Sequence, residues 1–384
     1  MPFYQTQGEK PNKRHTQFRD NQGNLYWEEH ISRNGFSSVY SNLYHLNPPT
    51  AIRKISSFKK FEFVNPGTPY QHHLINTSGL QSKGTMVSSR IPLFFNSDIA
   101  IYKAHVNKSM STLYKNGHAD EILFIHKGNG IIKTNFGNMN FIPGDYIIIP
   151  RGVIWQLEIK KNIEALVIES KGQIQTPEKY RNKFGQLLEH SPFCERDIKT
   201  PNLSKPNNEE NITVEVKLRS GIQKYIYKHH PFDLIGWDGY YFPWIFNIND
   251  FMPITGKIHQ PPPVHQTFES EGFVICSFVP RLFDYHKFAI PAPYAHSNLD
   301  SDEIIYYVEG EFMSRKNISE GSITYHPCGI PHGPQPGKIE KSIGVIETNE
   351  LAVMIDTFKP IQITKEALSI IDPNYSKSWL KNDN

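Results

Sequence analysis

At 384 residues the chain is long enough for two medium domains. Its net charge of +3, with no long basic stripe, gives nucleic acid no footing. Three scattered cysteines, Cys194, Cys276 and Cys328, without a CxxC pair, exclude a disulfide framework and a cysteine-built zinc site. Nothing in the opening MPFYQTQGEK reads as a signal segment, and no apolar run is long enough for a bilayer. The expectation is a cytoplasmic protein without membrane or nucleic-acid partners.

The chain begins with short β-like runs, Leu25–Trp27 and Phe61–Val64, between turn residues. From 121 to 170 the strand signal strengthens. Ile122–Ile125, Gly130–Thr134, Tyr146–Pro150 and Ala165–Glu169 are β-branched, strand-sized and bounded by Gly, Asn or Pro. The stretch 191–212 is rich in Pro, Asn and charge without periodicity, which predicts a linker. Strand-like runs resume at 213–219 and continue to about 358, and a short helix is expected near Lys365–Ile371. The predicted domains are therefore 1–190 and 213–384.

Two segments share one template. Glu121 stands seven residues before Gly128, and Gly144 leads through Pro150-Arg-Gly152 to Trp155. Glu303 stands seven before Gly310, and Gly321 leads through Pro327-Cys-Gly329 to His332. The Pro-x-Gly is a tight-turn signal that aims the following side chain. This paired pattern resembles the cupin superfamily, which implies an all-β bicupin: two β-barrel (jelly-roll) domains with short helices and long loops.

The second copy carries metal-ligand types. His296 lies seven residues before Glu303, and His332 ends the motif, giving two imidazoles and one carboxylate. That is the donor set of non-haem Fe(II) oxygenases. Asp302 competes as the carboxylate; the spacing to Gly310 favours Glu303, and adjacent strand residues face opposite ways. Asn298 occupies the place of a frequent fourth ligand. In the first copy Tyr114, Asn116 and Trp155 hold the matching places, so that barrel is expected to be a structural partner without metal.

Beyond the template, the chain resembles the homogentisate 1,2-dioxygenase family, short bacterial type. The resemblance rests on Pro231-Phe-Asp233, Trp237-Asp-Gly239-Tyr240, the stretch Ala292–Asn298, Pro331-His-Gly-Pro334 and Phe136–Met139. It implies Fe(II) at His296, Glu303 and His332, substrate contacts from His326 and Tyr294, and a catalytic base at His259, with His265 as the alternative. It implies ring cleavage of homogentisate by O2 to 4-maleylacetoacetate in tyrosine and phenylalanine breakdown, and a homo-oligomer, trimer or hexamer. Ser297, Ala295, Phe312 and Gln335 depart from the family pattern around the pocket. Gentisate or another hydroquinone acid is the alternative substrate, and a metal-binding bicupin without catalysis is the alternative class.

Overall fold

The computed structural model describes residues 3–80, 83–218, 220–257, 259–316 and 318–380. The fold is an all-β bicupin. Only two short α-helices occur among these residues, Lys338–Ser342 and Lys365–Leu368, the second inside the segment where the sequence predicts one.

The strong strand signals hold. Asp120–Lys127, Gly130–Thr134, Asp145–Ile149 and Ile163–Ser170 are strands of the first barrel. Phe61–Val64 forms no strand; the Phe63 ring stacks on Phe95 instead, with centroids 4.8 Å apart. Aromatic content there reports packing rather than pairing.

The barrel that holds the second template copy is one six-stranded sheet. Its order is Gln266–Ser270, Phe273–Phe278, Leu351–Thr357, Asp302–Glu309, Ser322–His326, His73–Asn76. Strands cross the sequence midpoint in both directions. His73–Asn76 joins this sheet, while Glu210–Leu218 runs parallel to Leu113–Asn116 and Trp244–Asn247 pairs with Asp145–Ile149. Inside the stretch 191–212, Ile198–Lys199 also pairs with Trp244–Asn247.

Central strands are buried on both faces, as all five residues of Asp145–Ile149 are. One face lines a barrel and the other meets the second barrel. Tyr146 packs on Phe268 at 5.2 Å and its hydroxyl reaches Ser277 Oγ at 2.9 Å. Phe124 meets Tyr306 edge-on at 6.3 Å. Residues of both barrels thus form one hydrophobic core. Each large ring removed from water there contributes roughly 2–3 kcal/mol, so the two barrels stabilise each other and hold the site rigidly.

Candidate metal centre

The alternation of Asp302–Glu309 decides which acid faces inward. Glu303 points into the barrel, where its cross-strand neighbours are His326 and Asp356. Asp302 points away and spends both oxygens on backbone amides, Cys328 N at 2.7 Å and Ile361 N at 2.6 Å. Asp302 is therefore a structural clamp for two loops, and the carboxylate of the cluster is Glu303.

His296 and His332 are brought face to face by a two-residue bridge in which each backbone N–H donates to the other's carbonyl, at 2.8 and 2.9 Å. The turn before His332 needs glycine: Gly329 has φ +75°, which a side chain disfavours. Its N–H donates to Asn298 O at 2.7 Å, so Asn298 pins the turn through its backbone.

Both imidazoles have a defined tautomer. His296 Nδ1–H donates to Tyr294 O at 3.2 Å, and His332 Nδ1–H to Ile330 O at 3.1 Å. That leaves both Nε2 atoms as lone-pair donors turned toward Glu303 Oε2, at 3.9 Å and 3.6 Å. His332 Nε2 is buried and meets no hydrogen-bond donor among the described residues. With both imidazoles neutral, three electron-pair donors face one another there, and they repel unless a cation joins them. Ligand atoms this close are all within reach of one ion at about 2.0–2.2 Å. The three residues are the one such His/Cys/Asp/Glu group found among the described residues, with ligand atoms within 4.8 Å of one another. The donor set fits a divalent metal.

Glu303 is set up to stay ionised. Burial would raise its pKa, but the three imidazoles around it outweigh burial and hold it well below the usual carboxylate range. Reciprocally, Glu303 pushes the His296 pKa up, as it would favour any cation between them.

His326 lies behind the carboxylate. Its ring has no exposed surface, and burial pushes its pKa down to about 3, so it is neutral. Nδ1–H donates to Glu303 Oε1 at 2.6 Å, and Nε2 accepts from the Tyr375 hydroxyl at 3.1 Å. Both nitrogens are spent inside the protein. The structure therefore gives His326 an orienting position rather than the substrate contact the resemblance implies. Trp379 continues this backing, donating from Nε1 to Gly333 O at 3.0 Å, next to His332.

Tyr294 and His259 sit at the barrel mouth. Tyr294 is 59% exposed, its ring is stacked on His259, and its hydroxyl lies 3.3 Å from His259 Nε2. His265 differs: it is buried against Phe278, and burial with the nearby Arg281 charge drops its pKa to about 3. An exposed imidazole at the mouth suits proton exchange with a ligand, and a buried one does not.

Two residues of the centre escape the motif reading. Tyr375 comes from the C-terminal segment, and Asp356 from the strand Leu351–Thr357. An acid in that otherwise apolar run was the available signal for Asp356. Burial and then the Glu303 charge push its pKa up to about 7, against His296.

A cleft of about 1030 Å³ lies elsewhere, lined by Arg281, Phe312, Lys338 and Lys341 among others. It borders the centre only through Arg315, whose Nη1 donates to Gly333 O.

Residues 80–248 match the family model for the N-terminal part of homogentisate 1,2-dioxygenase. A candidate dioxygenase of Saccharolobus solfataricus is 43% identical over 383 residues, covering 99% of each chain. This chain belongs to the homogentisate 1,2-dioxygenase family. Family members from Bradyrhizobium diazoefficiens and Homo sapiens are 26% and 25% identical. Those matches span 71% and 74% of this chain and 64% and 67% of the relatives. A cupin 2 conserved barrel domain protein from Leptotrichia buccalis aligns at 12% identity with a TM-score of 0.35, over 79% of this chain and 100% of its own. Among the described residues no helix is long and apolar enough to cross a membrane.

Proposed function

We propose that this family member is an Fe(II)-dependent ring-cleaving dioxygenase that converts homogentisate and O2 to 4-maleylacetoacetate. The observation that carries the reading is the set of ligand atoms on His296, His332 and Glu303, within 4.8 Å of one another and with His332 Nε2 unpartnered, which suits a divalent cation. Iron held there would supply open positions at which a chelating aromatic acid and O2 meet and exchange electrons.

The protein's own groups do the rest. The carbonyls of Tyr294 and Ile330 fix both histidine tautomers. His326 and Tyr375 hold the Glu303 carboxylate in one orientation, as outer partners of a metal ligand commonly do. His259, whose Nε2 lies 3.3 Å from the Tyr294 hydroxyl, accepts the ring-hydroxyl proton. Tyr294, stacked against it at the mouth, donates a hydrogen bond to the resulting anion.

The test is O2 uptake by anaerobically Fe(II)-loaded protein. Uptake with homogentisate, stoichiometric and faster than with gentisate, supports the reading. Uptake with gentisate alone moves the substrate, and no uptake with either by protein holding one iron refutes it.

A further inference from the structure

The two barrels place a second acid beside each template glutamate. Glu121 pairs across strands with Glu169, and Glu303 pairs with Asp356, at the same step of the same two-strand register. In the first barrel the second acid is saturated by the protein. Glu169 receives the Tyr102 hydroxyl at 2.9 Å, Arg90 Nη1 at 3.0 Å and Lys217 Nζ. In the second barrel Asp356 Oδ1 is buried and finds no donor among the described residues. A buried carboxylate oxygen left unpaired costs free energy, and a ligand hydroxyl relieves that cost.

The register also shows what makes room for such a ligand. Glu169 pairs with Ala100 and Val167 with Tyr102; Asp356 pairs with Val274 and Met354 with Cys276. Cys276 therefore stands where the first barrel has Tyr102. The phenol that the first barrel carries covalently is missing from the second, while the acid that would accept its O–H is kept.

From this the geometry points to Asp356 as a specificity-determining substrate contact. It accepts the phenolic O–H that a dihydroxylated aromatic acid does not use in chelation, and the ring lies over Cys276 as the Tyr102 ring lies in the other barrel. This rests on the hydroquinone-acid reading above and adds the residue that demands a second hydroxyl.

The experiment is anaerobic calorimetry on Fe(II)-loaded wild type, Asp356→Asn and Asp356→Ala, with homogentisate and with 2-hydroxyphenylacetate, which keeps the chelating pair and lacks the distal hydroxyl. Iron content is measured on each. Asp356→Ala should weaken homogentisate about 10- to 100-fold, and Asp356→Asn less, while 2-hydroxyphenylacetate changes by under about twofold and iron is retained. Equal weakening of both compounds, or loss of iron, overturns the proposal, because Asp356 would then act through the fold or the metal. Should the wild type bind neither compound, the hydroquinone-acid reading falls and this role falls with it. Cys276→Tyr, copying the first barrel, should keep iron and bind neither compound; undiminished binding refutes the placement of the ring.

Discussion

At one place in each barrel a glutamate stands on the same strand step, and the two meet opposite company. Glu121 is surrounded by proton donors: Arg90 Nη1 at 2.6 Å, Trp155 Nε1 at 3.2 Å, Tyr114 OH at 3.3 Å and Asn116 Nδ2 at 3.4 Å. Glu303 has one donor, His326 Nδ1–H on Oε1, and its Oε2 faces the Nε2 atoms of His296 and His332. Even the pinning contact is conserved between barrels, since Gly152 N donates to Asn116 O at 2.8 Å as Gly329 N does to Asn298 O. One scaffold thus serves two ends. Where donors fill both oxygens the acid closes a buried polar network, and where one oxygen faces two imidazole Nε2 atoms the set suits an external cation.

The largest test of that contrast is His332→Ala. Removing a ligand should cost more than the roughly 10- to 100-fold in metal affinity that outer partners cost. Iron content of the purified variant should fall to background, with O2 uptake lost. A variant that keeps one iron would show that the lone-pair geometry does not define the centre.

The mirror experiment is Arg90→Met. Arg90 bridges Glu121 and Glu169 with its side chain 5% exposed, and both carboxylates are as buried. Removing one partner of a buried pair costs about 3–5 kcal/mol. Denaturant unfolding should show that loss, while the iron stoichiometry of the folded variant stays at one. Loss of iron without loss of stability would mean that the first barrel serves the metal directly.

Next comes a pH effect at a buried histidine. His45 lies between Asp233, at 2.6 Å, and Glu29, at 3.1 Å. Burial lowers its pKa, but those two acids outweigh burial and raise it to about 9. A pKa raised on folding gives stability that is fully present below the unfolded value near 6.5 and lost as pH rises through about 9. The contribution is on the order of 3 kcal/mol at most. Thermal midpoints should therefore fall between pH 6.5 and 9, and His45→Gln should flatten that slope. An unchanged slope would refute the pairing.

Much of the centre could be read from residue spacing, because a Pro-x-Gly turn and a strand alternation are local. Glu303 and His332 come from such local signals: the spacing to Gly310 favours Glu303 over Asp302, and alternation keeps the two acids on opposite faces. What spacing could not give is register and return of chain. Asp356 comes beside Glu303 only because Leu351–Thr357 pairs with Asp302–Glu309 at one step, and a one-residue slip would turn it outward. The strand exchange between barrels was hidden for the same reason: His73–Asn76 reads as an ordinary strand and shows nothing of the sheet it joins. His326 was legible as a site histidine, but its role was not, because its partner Tyr375 lies 49 residues away in a segment that reads as a polar tail.

That tail supplies the smallest and most discriminating prediction. Tyr375→Phe keeps a buried ring against Trp379, 5.2 Å away, and removes the hydroxyl that donates to His326 Nε2 and also bonds Arg315. Nε2 is then free to carry the proton, and Nδ1 would face Glu303 Oε1 as an acceptor against an acceptor. The Glu303 carboxylate loses its fixed orientation, and metal affinity should drop about tenfold, the low end for an outer partner. The variant should dissociate iron faster in a chelator assay while unfolding within about 1 kcal/mol of wild type. In the first barrel the residue that pairs with Glu121 in the place of His326 is Ile149, which donates nothing. Equal iron retention in Tyr375→Phe would mean that the second barrel, like the first, orients its glutamate without that relay.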